Sequence, residues 1–147
     1  MDGFTAGAVL LGLVVVATAA GLLWRATTGR VRRTRGGERI AAADVGAPSF
    51  GERATLLQFS TEFCAPCRAT ARVLGEIGAA LDGVDHLEVD LTDRPDLAQR
   101  FGILQTPTTL VLDASGTVRA RIGGAARAGD VRSMLDDLLG RNHVRSA

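Results

Sequence analysis

The sequence predicts an α/β domain, a sandwich of modest size in which strands and helices alternate, carried behind one apolar N-terminal helix of membrane-crossing length. Three observations predict it. Phe4–Trp24 is a run of 21 residues without a charge. From Glu38 onward, short apolar runs and period-two stretches alternate with segments whose apolar residues recur every three or four positions. At 147 residues the chain has room for one ordinary domain and that appendage.

The apolar run, FTAGAVLLGLVVVATAAGLLW, follows a short tail at residues 1–3 and is bounded by Asp2 and Arg25. As a helix it reaches about 31 Å, enough to span the hydrocarbon core of a bilayer. Trp24 at its end suits an interfacial anchor. A cleaved signal peptide is the competing reading, and Ala17-Thr18-Ala19 resembles a cleavage site. Against it, no basic segment precedes the run, and the run is too long for a signal-peptide core. Gly3 and Gly7 are spaced as in helix-pairing motifs, a pattern that arises easily by chance in an Ala/Gly-rich helix.

Residues 25–37, rich in Arg, Gly and Thr, lack apolar periodicity and read as a basic juxtamembrane tether. The domain is expected over 38–140, with 141–147 as a tail. Ile40 opens a short edge strand, followed by a loop or brief helical turn. Thr55–Phe59 is an apolar run of buried-strand type. Val73, Leu74, Ile77 and Leu81 have helical spacing, ended by Asp82-Gly83. Val84–Leu91 alternates as a strand. Pro95 opens a helix, with Asp93 as its cap and Leu97 and Phe101 on one face. Two strands, TTLVLD and TVRARI, flank the hairpin signal Ala114-Ser115-Gly116. The last helix carries Val131, Met134, Leu135, Leu138 and Leu139 as one stripe, and Gly140 closes it. The order is β, β-α-β, α, β-β, α.

Charge is unevenly laid out. Residues 25–39 hold six arginines against Glu38, whereas residues 40–147 hold eleven arginines against fourteen acids. Basic character thus sits in one short segment and not on the domain, which argues against nucleic acid as a partner. By the positive-inside rule the Arg25–Arg39 cluster keeps the C-terminal domain in the cytoplasm, as a single-pass protein of the cell membrane. Each Arg near anionic headgroups adds on the order of 1 kcal/mol, but a stop-transfer flank with no lipid specificity is the plainer and favoured reading of the cluster.

The only two cysteines, Cys64 and Cys67, lie in FSTEFCAPCRAT. As a structural staple they would close a loop of four residues, which stabilises little. As zinc ligands they would need His86 and His143, and neither has metal-ligand spacing, so no metal site is expected. As a reactive pair they fit the local pattern. Cys64 falls between an apolar strand and a helix, where unpaired N–H groups favour a thiolate, and Cys67 lies one turn on. Pro66 pre-sets that first turn. Arg68 either adds positive field or is a solvated helix side chain.

The run LLQFSTEFCAPCRAT, a buried strand feeding a CxxC with Pro in third place, resembles the thioredoxin family. GILQTPTTLVLDASGTVRARIGG resembles the same family, with Thr106-Pro107 matching its cis-proline loop. The resemblance covers residues 38–140. It implies a thioredoxin fold, a central mixed sheet flanked by helices, and dithiol–disulfide exchange with protein substrates. It further implies Cys64 as the attacking thiolate, Cys67 as the buried resolving thiol, and Pro107 facing both after a cis peptide. Phe63, Ala65, Pro66 and Thr106 would border the substrate, the Thr106 backbone pairing with it. A trans Pro107 at a strand's first residue is the plainer alternative. Beyond the Cys64–Cys67 disulfide no cofactor is implied; partners are disulfide-containing proteins and an electron donor.

Three positions depart from the family pattern. Gln58 stands where an Asp is usual, Glu88 where a Lys is usual, and Phe63 where a Trp precedes the first cysteine. Gln cannot take a proton, so the customary base for the resolving cysteine is missing. Glu88 replaces it if its side chain enters the same pocket; otherwise it is an exposed strand residue. The reading is a membrane-tethered thiol–disulfide oxidoreductase acting as a reductant. An outward-facing relative of periplasmic and cytochrome-maturation thioredoxins, or a low-turnover binding module, are its alternatives.

Overall fold

The computed structural model describes residues 3–145, and side chains between 5 and 140. An apolar helix, α1 (Gly3–Thr27), is followed after a turn at residues 28–30 by strand β1 (Val31–Arg33). There follow a 3₁₀ turn (Ala42–Val45), β2 (Ala54–Ser60), α2 (Ala65–Ala80), β3 (Val84–Asp90), α3 (Pro95–Arg100), β4 (Thr108–Asp113), β5 (Val118–Gly123) and α4 (Ala128–Arg145). The sheet runs β1-β5-β4-β2-β3, with β2 and β3 parallel and every other pair antiparallel. It is the mixed α/β sheet that the sequence predicts.

Alternation along β2 explains the two layers. Leu56 points to the face covered by α2 and α4, where Leu74, Ile77, Val131, Leu135 and Leu138 are buried. Leu57 and Phe59 point to the other face, against Leu97 and Phe101 of the α3 segment, Ile40, and Val45 of the 3₁₀ turn. Both faces are apolar because helices or loops cover both. Asp44 ties that second layer together, accepting from Ala41 N–H at 2.8 Å and pairing with Arg100 at 2.9 Å.

Four expectations need correction. The segment read as a tether at 25–37 holds both the last turn of α1 and the strand β1, which pairs with β5. The edge strand is therefore Val31–Arg33, and Ile40 is a buried residue beside an isolated Arg39–Thr117 bridge. Arg94, not Asp93, occupies the position before α3, without a side-chain cap. Gly140 lies inside α4, whose backbone runs on to Arg145 through the expected tail; the side chain of His143 is outside the described residues. A glycine at the end of the apolar stripe predicts a helical end at Gly140, but its φ is not positive, so it makes no left-handed cap.

Candidate active site

The reactive pair is positioned by the junction of β2 and α2. β2 is buried throughout, so its end is fixed, and the chain turns at Thr61–Phe63 before α2 begins at Ala65. Cys64 is the N-cap: its backbone is extended (φ −130°, ψ 93°), and its Sγ accepts the Cys67 N–H at 3.2 Å. A sulfur here takes the place of the usual cap oxygen, sharing the Cys67 N–H with the Cys64 carbonyl, which accepts it at 3.1 Å. Cys64 and Cys67 are joined as a disulfide, with Cα atoms 5.2 Å apart. Cys64 is 7% exposed and Cys67 only 1%.

The Thr106–Pro107 peptide is cis. Pro107 is buried, and its carbonyl accepts from Gly124 N–H at 2.7 Å. Thr106 is half-buried, its hydroxyl 3.3 Å from that of Thr61 in the loop leading to Cys64. Neither its N–H nor its C=O engages another backbone group among the described residues. Because β4 is antiparallel to β2, the start of β4 and the end of β2 share one end of the sheet, which brings Pro107 to the cysteine end. Phe63 is 92% exposed at that end, and Leu104, two residues before Thr106, is 97% exposed. Ala65, Pro66 and Arg68 are exposed on the first turn of α2.

Beneath Cys67 lies a polar group on the α2 face of the sheet. Gln58 is fully buried; its Nε2 donates to the Cys67 carbonyl at 2.9 Å, while its Oε1 is 3.2 Å from His86 Nε2. Glu88, the register partner of Gln58 on β3, has Oε1 3.5 Å from Gln58 Nε2. A carbonyl and a carboxylate only accept, so the amide must turn its NH₂ to both and its oxygen to the imidazole. His86 therefore carries a hydrogen on Nε2 in either charge state. Nδ1 is the nitrogen that titrates, on the side of Gly75 of α2. Burial holds the His86 imidazole below its ordinary range, with the Glu88 carboxylate acting in the opposite sense. The hydroxyls of Thr70 and of Thr109, which lies opposite Gln58, are buried without a hydrogen-bond partner.

Of the residues singled out in the sequence, Cys64, Cys67, Pro107, Phe63, Ala65, Pro66 and Thr106 thus meet at one end of the sheet. Glu88 stands apart from them on the solvent side of the Gln58 group and is itself exposed. Sequence reasoning weighs His86 only as a zinc ligand, which its spacing rules out, and assigns no role to Thr109 or Leu104. The position of Thr109 follows only from the β2–β4 register, and that of His86 from the register of β3; Leu104 sits in a loop, where no periodicity marks it.

Residues 48–137 match the family model described as Thioredoxin. The chain belongs to the thioredoxin family. Among its relatives, thioredoxin from Alicyclobacillus acidocaldarius subsp. acidocaldarius is 31% identical over 90 residues, covering 60% of this chain and 85% of that one. The thiol:disulfide interchange protein HelX of Rhodobacter capsulatus is 29% identical over 107 residues, covering 57% and 60%. In three dimensions, the crystal structure of thioredoxin NaTrxh from Nicotiana alata superposes with a TM-score of 0.50 at 26% identity, covering 57% of this chain and 71% of that one. This thioredoxin domain, with its cysteine pair at a helix start, is a protein thiol–disulfide oxidoreductase. The family match starts at Pro48, so α1 and β1 lie outside it.

Proposed function

We propose that the chain is a membrane-tethered oxidoreductase that reduces disulfides of protein substrates, with Cys64 attacking and Cys67 resolving. The observation that carries this is the Cys67 N–H pointed at Cys64 Sγ at the N-terminus of α2. That donor and the end of the helix dipole favour negative charge on Cys64 sulfur over any other in the chain. The reduced Cys64 thiolate attacks a substrate sulfur, forming a mixed disulfide and releasing the other substrate sulfur, which takes up a proton. Cys67 then loses its proton and attacks Cys64 Sγ; the second substrate thiol leaves, and the Cys64–Cys67 disulfide closes. Two electrons pass to the substrate, and a separate dithiol donor must restore them. No cofactor beyond the pair itself enters.

Pro107 offers no N–H beside the sulfurs, and the free N–H and C=O of Thr106 suit β-type pairing with an extended substrate segment. Phe63 supplies an apolar rim to that segment, with Ala65 and Pro66 next to it. Gln58 cannot accept the Cys67 proton; Glu88, which touches Gln58 and not Cys67, takes it through intervening water on the pocket's solvent side.

Tethering is supported by α1. Within Thr5–Thr27 an 18-residue window reaches a mean hydropathy of 2.4, and none of that window is buried against the domain. Left in water, such a surface would be an unmatched apolar patch; in a bilayer it is at home. The Arg25–Arg39 segment favours a cytoplasmic domain.

A Cys67→Ser variant should accumulate substrates as mixed disulfides on Cys64, visible on non-reducing gels and lost with Cys64→Ser. Absence of such adducts, together with no insulin reduction by the full chain in detergent, would favour a binding module. The side of the membrane is read by labelling Ala114→Cys, in a Cys64→Ser, Cys67→Ser background, with an impermeant maleimide on intact cells. Protection until lysis is the expected result; prompt labelling would place the domain outside.

A further inference from the structure

The end of the sheet that bears the cysteines is also the end at which α1 enters. Gly29 N–H donates to Gly123 O at 2.8 Å, Gly123 lies opposite Thr108, and Thr108 lies opposite Phe59. These residues form one row across the sheet. At the usual strand spacing of about 4.8 Å, Thr108 is about 10 Å from Gly29. Pro107 adjoins Thr108.

The joint is closely made. Arg127 Nη2 donates to Arg25 O at 2.9 Å and Thr28 O at 3.2 Å, so the start of α4 binds the last carbonyls of α1. Gly29 has φ +79°, and a Cβ there would lie 2.3 Å from Ala125 O. Only glycine admits that approach. Helix and sheet are thus held together without a flexible spacer.

Between the last turn of α1 and the cis-proline loop is a cavity of about 390 Å³, lined in part by Thr27, Leu104, Arg30, Arg32 and Arg121, with no carboxylate in its wall. Along β1, Val31 turns to the core and Arg33 pairs with Asp137 on α4, so Arg30 and Arg32 turn to the opposite face. There Arg32 lies directly opposite Arg121. Like charges in that relation repel. Arg121 donates to Phe101 O and Gly102 O, while Arg30 and Arg32 are exposed and make no ion pair among the described residues. Three guanidinium groups beside a fully exposed Leu104, next to the end of an apolar helix, call for anions set above hydrocarbon. Anionic phospholipid headgroups have that chemistry.

We infer that the cysteine-bearing end of the domain docks on the bilayer that α1 enters, Arg30, Arg32 and Arg121 engaging anionic headgroups and Leu104 dipping among them. The substrates reached are those whose cysteines lie at the membrane surface. This rests on the reading of α1 as an anchor.

The full chain carrying Cys64→Ser and Cys67→Ser, with either Leu104→Cys or Ala114→Cys, is labelled with an environment-sensitive fluorophore. It is then reconstituted into vesicles of phosphatidylcholine and phosphatidylglycerol containing a headgroup spin label. Ala114 is exposed in the β4–β5 turn at the other end of the sheet. Quenching should be several-fold stronger at position 104 than at 114. It should weaken at 104 in pure phosphatidylcholine and in the Arg30→Gln, Arg32→Gln variant. Equal quenching at the two positions, or quenching at 104 indifferent to lipid charge and to both arginines, overturns the inference while leaving the anchor standing. A chain that fails to float with the vesicles removes the anchor reading and the inference together.

Discussion

At the scale of single residues, the site turns on the Gln58 amide. Its two N–H groups and its oxygen reach three partners, the Cys67 carbonyl, Glu88 and His86. Gln58→Leu fills the space but leaves the Cys67 carbonyl and the His86 N–H without a partner; it should cost about 2 kcal/mol in urea unfolding. Glu88→Gln tests the proton-accepting role proposed for Glu88: the second step, release of substrate from the Cys64 mixed disulfide in rapid quench, should slow several-fold near neutral pH. Unchanged release would remove Glu88 from the mechanism. His86 supplies a pH dependence. Its folded-state affinity for a proton lies below the ordinary value of 6.5, chiefly through burial. Its contribution to stability is complete above 6.5 and is lost as pH falls from there through the folded value, because the unfolded chain takes the proton first. The urea midpoint of the wild type should therefore fall more between pH 7 and pH 5 than that of His86→Gln, which keeps a hydrogen-bond donor without a titrating ring.

At the scale of elements, β1 and α4 show what the sequence disclosed and what it withheld. β2, β3, β4, β5 and the core stripe of α4 were legible because each buries a continuous apolar set with a definite period. β1 was not: of Val31–Arg33 only Val31 is apolar, and an edge strand of three residues takes its stability from pairing with β5, which no periodicity announces. A chain cut at Glu38 loses that pairing and the packing of Val31; relative to a chain beginning at Thr28 it should be less stable by about 2 kcal/mol, measured as a shift of urea midpoint. The end of α4 was misread for the opposite reason. Gly140 has the letter of a terminator but lies in helical backbone, exposed, with nothing within 4 Å of an added Cβ. Gly140→Ala should accordingly stabilise by about 0.5–1 kcal/mol. In the site, the CxxC and Thr-Pro motifs carried Cys64, Cys67 and Pro107. The part played by His86 depends on which strand lies beside β2 and in what register, a tertiary fact with no local trace.

At the scale of the whole molecule, the apolar helix and the redox domain form one body because β1 belongs to the sheet and not to a tether. Three contacts hold the joint: Gly29 N–H on Gly123 O, the Thr28 methyl against Gly124, and Arg127 on the carbonyls of Arg25 and Thr28. The last depends on one exposed side chain, Arg127, that can be removed without disturbing the sheet. Losing two charge-assisted hydrogen bonds at an exposed site costs little stability, but it frees the last turn of α1 to rotate about Thr28. With Cys64 and Cys67 replaced by serine, spin labels at Trp24→Cys and Ala114→Cys should give one narrow distance distribution by pulsed electron resonance. Adding Arg127→Ala should broaden it, while the same substitution in the chain with both cysteines should leave insulin reduction unchanged, since Arg127 touches none of the reacting groups. A distribution equally broad in both proteins would mean that the helix swivels freely on the domain despite these contacts.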